Sequence, residues 1–536
     1  MQIEFIGAAR TVTGSSYIIK DGDFTIMVDC GMFQGKREIK DRNHLNRIYA
    51  PGKIDALLLT HAHIDHSGLI PKLVKEGFYG NIYTTKATAD LCSVMLPDSG
   101  HIQEMDAKWV NKKNKRLGRP EVEPIYNVKD AEKALENFVP LSYGETVQIH
   151  PRIKVRFRDA GHILGSAIIE MWIDEKGKQK KIVFSGDLGP TGQAIIRDPE
   201  IVDEADVLLI ESTYGDRLHK SKQDTYVEFK DILQHALNKK GNIIIPAFAI
   251  ERTQELIYAL ARMVNSDKLP AIPVYIDSPL AISATEIFRR NRDCFDKETQ
   301  KILLEGDSPL DFNSLHFSRT SKESKQLARE TGSIIISASG MCTAGRIKYH
   351  LRDNLYKQEA SVIFVGYQAE GTLGRRIIEG AKQVRLYGKD VKVNARIHTL
   401  GGFSAHADRD GLIAWLSNIN NPDLKVFVVH GEEKASLSFA ETVRERVGVT
   451  AYVPMWGETV DVDTLKSVMT TYGLDDKPVE KYTEIDHEID SLTQTINKLK
   501  DQYHEMVSQK SYMNTEQLQD DLEDIRSLIA MVIDEL

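Results

Sequence analysis

The sequence predicts an α/β protein in which a β-rich domain is split along the chain by a strand–helix domain and followed by a helical extension. Three observations carry this reading. Residues 1–210 and 396–462 read as short strands joined by polar, Gly-rich turns. Residues 211–395 alternate near-continuous apolar strands with amphipathic helices. Residues 480–536 place apolar side chains at helical spacing on an acidic segment. A chain of 536 residues suits several domains, since domains run to roughly 100–200 residues each.

In the first part, strand patterns fall at 2–6, 24–28, 56–59, 155–158, 168–172, 182–184 and 207–210. Several end in a polar loop: Asp29-Cys30-Gly31, Thr60-His61, Ser185-Gly186-Asp187. Rigid strand ends followed by exposed loops are where such scaffolds present chemistry. The basic run 109–119 (WVNKKNKRLGR) fits a solvated helix face or loop, or a patch that tracks phosphates.

Between 211 and 395, apolar strands at 242–246, 271–276, 333–337 and 361–365 alternate with helical segments such as 252–263. That texture fits a parallel sheet covered on both faces, with ligands at the strand C-termini. Strands at 398–400, 425–429 and 450–454 then return to the first texture, with a helix at 412–417. In the tail, Ile485, Ile489, Leu492, Ile496, Leu499, Tyr503 and Met506 step by four and three, a heptad pattern. Asn514 with Gln517 marks a second helix start, and 518–536 is amphipathic, so the tail reads as an αα-hairpin.

Hydrophobic residues make up 41% of the chain and charged residues 27%, which excludes wholesale disorder. The net charge of −9 has an address. Residues 480–536 hold 14 acids and 5 bases, leaving 64 of each sign in the other 479 residues. A neutral body can concentrate Lys and Arg in one cleft, so the acidity does not exclude nucleic acid. No apolar run approaches the roughly 18–20 residues that span a bilayer, and the N-terminus lacks a signal-peptide pattern. Cys30, Cys92, Cys294 and Cys342 form no CxxC pair. The expectation is a reduced, cytoplasmic protein without a membrane partner.

The strongest chemical signal is His61-Ala-His63-Ile-Asp65-His66 after an apolar run. Imidazoles and a carboxylate at a strand end are costly to bury unless something ties them together. They are also what zinc accepts. In an extended loop, His61 and His63 point one way while Asp65 and His66 reach a second ion, a spacing suited to two metals. Six residues cannot fill two coordination shells. His162, in a small-residue loop, and Asp187, at a turn where a carboxylate can bridge two ions, are candidates for the rest. Alone, His162 also fits an ordinary loop histidine and Asp187 an Asx turn. His398 lies on a strand and reads as structural. No Ser–His–Asp order supports a serine nucleophile.

Two Gly-rich loops follow predicted strands in the middle domain. One contains Ser337, Ser339, Gly340 and Arg346, the other Gly371, Thr372 and Arg375. Exposed backbone N–H groups with a nearby Arg suit phosphate, while a tight βα turn is the plainer reading. Neither loop is a Walker A loop.

The order Asp29, HxHxDH, His162, Asp187 resembles the metallo-β-lactamase superfamily over residues 1–210. Glu211-Ser-Thr-Tyr-Gly215, Phe403-Ser-Ala-His406-Ala-Asp408 and Val428-Val-His430-Gly-Glu432 resemble the motifs of its β-CASP nucleases, extending the match to about residue 460. The relatives include the pre-mRNA cleavage endonuclease subunit, its archaeal homologues and ribonuclease J. The resemblance implies an αββα sandwich (1–210 and 396–462) with an inserted β-CASP α/β domain (211–395). It implies two Zn²⁺ per chain, one on His61, His63 and His162, the other on Asp65, His66 and His430, with Asp187 between them and Asp29 orienting a ligand histidine.

Asp65, Glu211 and His406 are the implied catalytic side chains, and both Gly-rich loops the implied RNA contacts. The implied reaction is hydrolysis of RNA phosphodiesters by a zinc-activated hydroxide, leaving 5′-phosphate and 3′-hydroxyl ends. Endonuclease and 5′-exonuclease modes are both compatible. A DNA nuclease of the family, a non-catalytic RNA scaffold and a small-molecule thioester or lactam hydrolase are alternatives; His430, where DNA-processing relatives usually carry Val, leans toward RNA, and single-stranded RNA is the expected partner. The apolar stripe of the tail suggests a homodimer. A chain truncated after Gly473 should elute from gel filtration as a smaller oligomer, and an unchanged elution volume removes the idea.

Overall fold

The computed structural model describes residues 1–470, apart from 46–49, 117, 176, 267, 367, 369 and 370, together with 495, 496, 498–500 and 522. The chain divides into two units, residues 1–35 with 49–470, and residues 36–48 with 471–536. In the second unit the described elements are the short helix Arg37–Lys40, the 3-10 turn Asp41–His44 and helical residues at 495, 496, 498–500 and 522. The heptad helix at 485–506 and the helix at 518–536 otherwise lie outside the described residues.

The first unit holds two large sheets and a smaller parallel one. An eight-stranded sheet runs Ser467–Met469, Glu458–Asp461, Gln2–Phe5, Tyr17–Asp21, Phe24–Val28, Ala56–Leu58, Asn81–Thr85, Phe138–Leu141. A seven-stranded sheet runs Thr450–Tyr452, Lys425–Val429, Val207–Glu211, Lys178–Phe184, Ala167–Glu175, Ile153–Asp159, Thr146–His150. Alternating side chains of the two sheets meet in one core that includes Phe5, Val28, Phe157, Ile169, Phe184 and Phe427. On its other face the seven-stranded sheet packs Val183, Leu208 and Ile210 against the helices Arg409–Leu416 and Glu433–Arg446, through Leu412, Trp415, Phe439 and Val443. Strands covered on both faces explain the unbroken apolar run Val207–Ile210.

The third sheet has six strands, Leu315–Phe317, Val274–Ile276, Ile334–Ser337, Ile243–Pro246, Ser361–Phe364 and Arg396–Thr399, every pair parallel. Its strand–helix alternation matches the sequence texture. One boundary differs. The sequence groups the strand at 398–400 with the first domain, but Arg396–Thr399 pairs with Ser361–Phe364 at the edge of the parallel sheet. Its residues are exposed or half-buried where those of Ser361–Phe364 are all buried, so it lacks the continuous apolar run that marks the inner strands.

The basic segment at 109–119 also resolves. Lys86–Arg116 is one helix of 31 residues whose C-terminal half is largely exposed. Among the described residues no helix is long and apolar enough to cross a membrane.

One buried charge ties the seven-stranded sheet together. Glu170 accepts from Arg156 Nε at 2.5 Å and Arg158 Nε at 2.7 Å, and pairs with Lys181 Nζ at 2.7 Å. Burial raises its carboxyl pKa, but the bonds from Arg156, Lys181 and Arg158 outweigh this and hold it down from 4.5 to about 2. A depressed carboxyl stabilises the fold above its unfolded pKa, and that stability drains as pH falls through the folded value. Glu170→Gln should therefore lower stability at neutral pH by about 1–3 kcal/mol, the cost of stranding its donors. It should also flatten the acid limb of a melting-temperature profile between pH 4.5 and about 2. A wild-type acid limb in the variant contradicts the assignment.

Candidate metal centre

The centre assembles at the C-terminal ends of sandwich strands. Ala56–Leu58 delivers Thr60 and His61, and the chain then turns into the short helix Ile64–Ser67, which carries Asp65 and His66. The motif is thus extended only as far as His63, where an extended loop was expected throughout. A close backbone approach fixes this turn: a Cβ on Gly31 would lie 1.7 Å from Asp65 O, so the Asp29–Gly31 loop can sit against it only with glycine there. Ala167–Glu175 follows the His162 loop, Lys178–Phe184 precedes Asp187, and Val207–Glu211 ends in Glu211. Parallel pairing sets Glu211 opposite Val429, so His430 emerges beside it.

The potential ligand atoms of His61, His63, His162 and Asp187 lie within 4.8 Å of one another, as do those of Asp65, His66 and His430. His63 Nδ1 lies 3.2 Å from both His61 Nε2 and His162 Nε2, and His66 Nε2 lies 3.1 Å from His430 Nε2. Asp187 Oδ2 sits 3.3 Å from His66 Nε2, 3.4 Å from His61 Nε2 and 3.5 Å from His162 Nε2. Its Oδ1 is buried, lies 3.3 Å from His430 Nδ1 and accepts no hydrogen bond. His430 Nε2 is 3.6 Å from Asp65 Oδ2.

His61 Nε2 and His162 Nε2 both face His63 Nδ1, which has at most one proton to share, so with the outward nitrogens protonated a lone pair is left facing another. Cations among them satisfy those lone pairs and the orphaned Asp187 oxygen together. The nitrogen and carboxylate donor set suits zinc and fits a metal site.

The outward nitrogens are held so that inward ones stay available. His66 Nδ1 bonds Asp29 Oδ2 at 2.7 Å, His162 Nδ1 donates to Ala405 O at 2.8 Å, and His61 Nδ1 meets Thr60 Oγ1 at 3.1 Å. Asp29 is itself fixed by the Thr60 N–H at 2.8 Å and by the Thr60 hydroxyl. Such outer contacts set tautomer and ring orientation in metal sites.

Electrostatics follow the same grouping. Burial lowers His61 and His162 well below the usual imidazole value and brings His63 to about 4. Burial also acts against a charged His66, but Asp187 and Asp29 override it and raise that ring well above the ordinary value. Burial opposes ionisation of Asp65 and Asp187, yet neighbouring histidines, His430 first among them, hold Asp187 well below the carboxylate range and Asp65 at about 2.

Beside this cluster, His406 Nδ1 lies 3.1 Å and 3.2 Å from the oxygens of buried Glu211. Glu211 Oε1 also accepts the Leu188 N–H at 2.7 Å. Burial lowers the His406 pKa, but the Glu211 carboxylate outweighs it and pushes the ring up to about 9. The His406 ring sits 4.4 Å from that of His162.

The structure thus gathers Asp29, His61, His63, Asp65, His66, His162, Asp187, Glu211, His406 and His430. His398 is half-buried on its edge strand, with Arg396 and His235 around it. The Gly-rich loops differ from expectation in two residues. Ser337 is buried and donates to Asp277 O at 2.7 Å. Arg346 donates to Asp277 Oδ1 at 2.7 Å and to the carbonyls of Ser318 and Arg319. Buried Asp277 also takes Ser324 Oγ and His350 Nε2, both at 2.6 Å, so it draws Arg346 inward rather than toward a phosphate. Ser339 Oγ accepts from Thr343 and Ala344 N–H, Gly340 sits against the Phe248 ring, Thr372 caps Leu373–Ile378, and Arg375 pairs with Glu379 at 2.6 Å.

Sequence reasoning missed Thr60, Thr213, His219 and Glu251. Thr213 Oγ1 is 3.2 Å from His430 Nδ1, and His219 Nε2 donates to His406 O at 3.2 Å. Glu251 Oε2 accepts the Leu164 N–H at 3.1 Å, two residues past His162. Adjacency to His61 and Glu211 marked Thr60 and Thr213; nothing local marked the other two.

Fold and site together define a metallo-hydrolase of the lactamase type carrying an inserted α/β domain. Matches to family descriptions agree: Metallo-beta-lactamase superfamily over residues 9–96, Beta-Casp domain over 253–377, and Zn-dependent metallo-hydrolase RNA specificity domain over 390–454. The chain is 38% identical over 463 residues to Ribonuclease TTHA0252 of Thermus thermophilus, covering 86% of this chain and all of that protein. It is 32% identical to the Transcription termination factor FttA of Methanocaldococcus jannaschii, covering 85% and 70%. A solved protein of unknown function from Enterococcus faecalis V583 shares the fold at a TM-score of 0.50 and 13% identity, covering 86% of this chain and 99% of that one. The chain belongs to the β-CASP family of the metallo-β-lactamase superfamily.

Proposed function

We propose that the protein is a two-zinc ribonuclease that hydrolyses phosphodiesters of single-stranded RNA to 5′-phosphate and 3′-hydroxyl ends. One observation carries this reading: Asp187 belongs to the His61, His63 and His162 group and lies 3.3 Å from both His66 and His430 of the other, and the Glu211–His406 pair stands beside them. The ribonuclease name of the 38%-identical relative supports RNA as substrate. One zinc is assigned to His61, His63 and His162, the other to Asp65, His66 and His430, with Asp187 between. When bound, the pair supplies Lewis-acid activation of water and draws charge from the phosphoryl oxygens.

The protein's own residues do the rest. Asp29, Thr60 and the Ala405 carbonyl hold the ligand rings in the tautomers that direct nitrogens inward. Glu211, fixed by the Leu188 N–H, accepts the Nδ1 proton of His406 and keeps that ring charged at neutral pH. Its Nε2 proton is then available to the departing 3′-oxygen. Asp65 is held ionised by the neighbouring histidines, His430 first among them, and so keeps a charged carboxylate at the centre. Ser339, Gly340, Gly371, Thr372 and Arg375 are assigned to RNA contact, with Ser337 and Arg346 bracing their loop. The reading extends to a sandwich (1–210 and 400–462) around a β-CASP domain, to a homodimer aided by the C-terminal helices, and to a cytoplasmic location, which four free buried cysteines support.

His406→Ala should lower the cleavage rate of 5′-labelled single-stranded RNA by about 10²–10⁴-fold, the usual worth of one positioned proton donor. Its zinc content should match wild type. A rate near that of wild type contradicts the role of His406, and equal cleavage of matched single-stranded DNA contradicts the choice of RNA.

A further inference from the structure

Away from the metal cluster, exposed aromatic rings gather in one place. Among the described residues four tyrosines stand well exposed: Tyr79, Tyr349, Tyr356 and Tyr387. Three of them belong to the helix Ile347–Asn354, the turn after it and the tip of the hairpin Gln383–Leu386/Lys389–Lys392. Tyr349 is 45%, Tyr356 52% and Tyr387 48% exposed, so about half of each residue stays in solvent. Tyr349 and Tyr387 stack on each other, centroids 4.6 Å apart and planes 14° from parallel. Each ring carries a cation: Lys348 over Tyr387 and Arg352 over Tyr349, both at 5.4 Å, and Lys357 over Tyr356 at 5.8 Å.

The backbone sharpens the point. Tyr387 has φ +50 and Gly388 φ +76, a two-residue hairpin turn with both angles positive. The first position of such a turn favours Asn, Asp or Gly, and bulky side chains avoid it. Folding alone does not select a tyrosine there. The helix and hairpin together carry five cations, Lys348, Arg352, Arg385, Lys389 and Lys392, against Asp353 and Asp390. Asp353 pairs with Arg352 at 2.7 Å, and Asp390 faces Arg385 across the hairpin.

Half-exposed rings and cations grouped on one surface match single-stranded nucleic acid, whose bases stack on aromatics and guanidinium planes while its phosphates meet Lys and Arg. We propose that Tyr349 and Tyr387, with Lys348 and Arg352, form a stacking platform that holds single-stranded RNA outside the metal centre. The choice of RNA rests on the ribonuclease reading above.

The test uses the full-length protein and a labelled oligouridylate at fixed salt. Tyr349→Ala and Tyr387→Asn should each weaken binding by about tenfold, as the loss of one stacked base does. Tyr387→Asn supplies the residue that the turn prefers, so its melting temperature should equal or exceed that of wild type, which separates binding from folding. Wild-type affinity in both variants overturns the proposal. So does a changed sedimentation coefficient with unchanged RNA affinity, which makes the patch a contact between copies. Cleavage of the same RNA is scored separately: an uncut but tightly bound strand, released by the variants, supports the platform while removing the ribonuclease reading.

Discussion

The carboxylate of Asp187 is the point on which the centre closes. It is buried, and His61, His66, His162 and His430 all bring a ring nitrogen within 3.5 Å of it. These side chains come from four separate strand ends, so the site exists only when both sheets of the sandwich are packed. Burying so many imidazoles and carboxylates without a counter-ion is unfavourable, and one oxygen of Asp187 is left without a donor. The fold therefore holds together a group that makes physical sense around bound cations.

The excursion between the paired strands Val207–Glu211 and Lys425–Val429 is joined to the centre at both of its ends. The first strand ends in Glu211, and the second leads into His430. Just before the second, His406 arrives with its ring against Glu211, while the neighbouring Ala405 carbonyl fixes His162. From inside the excursion, Glu251 reaches back to the Leu164 N–H in the His162 loop. The inserted domain is thus wired to the metal loop through specific hydrogen bonds rather than merely placed next to it.

Much of this was legible from residue order. Short-range patterns identified the strand ends, and HxHxDH announced its own chemistry because three imidazoles and a carboxylate in six residues have few other uses. What stayed hidden depends on long-range contact. Arg346 looked like a phosphate donor, and only the fold reveals the buried Asp277, 69 residues away, that takes its guanidinium. The edge strand Arg396–Thr399 lacks the continuous apolar run of the inner parallel strands because none of its residues is fully buried, so pattern alone assigned it to the wrong sheet. His219 and Glu251 act through backbone groups distant in sequence, which no local spacing encodes. The turn into a helix at Ile64 was also missed, because four residues are too few for a period to emerge.

The central claim is that two metal ions share Asp187. It is tested most directly by anomalous scattering at the zinc edge from crystals grown with zinc. Two peaks are predicted, one among His61, His63 and His162, the other among Asp65, His66 and His430, both touching Asp187 and about 3.5–4 Å apart. A single peak, or a pair in which Asp187 contacts only one ion, contradicts the account.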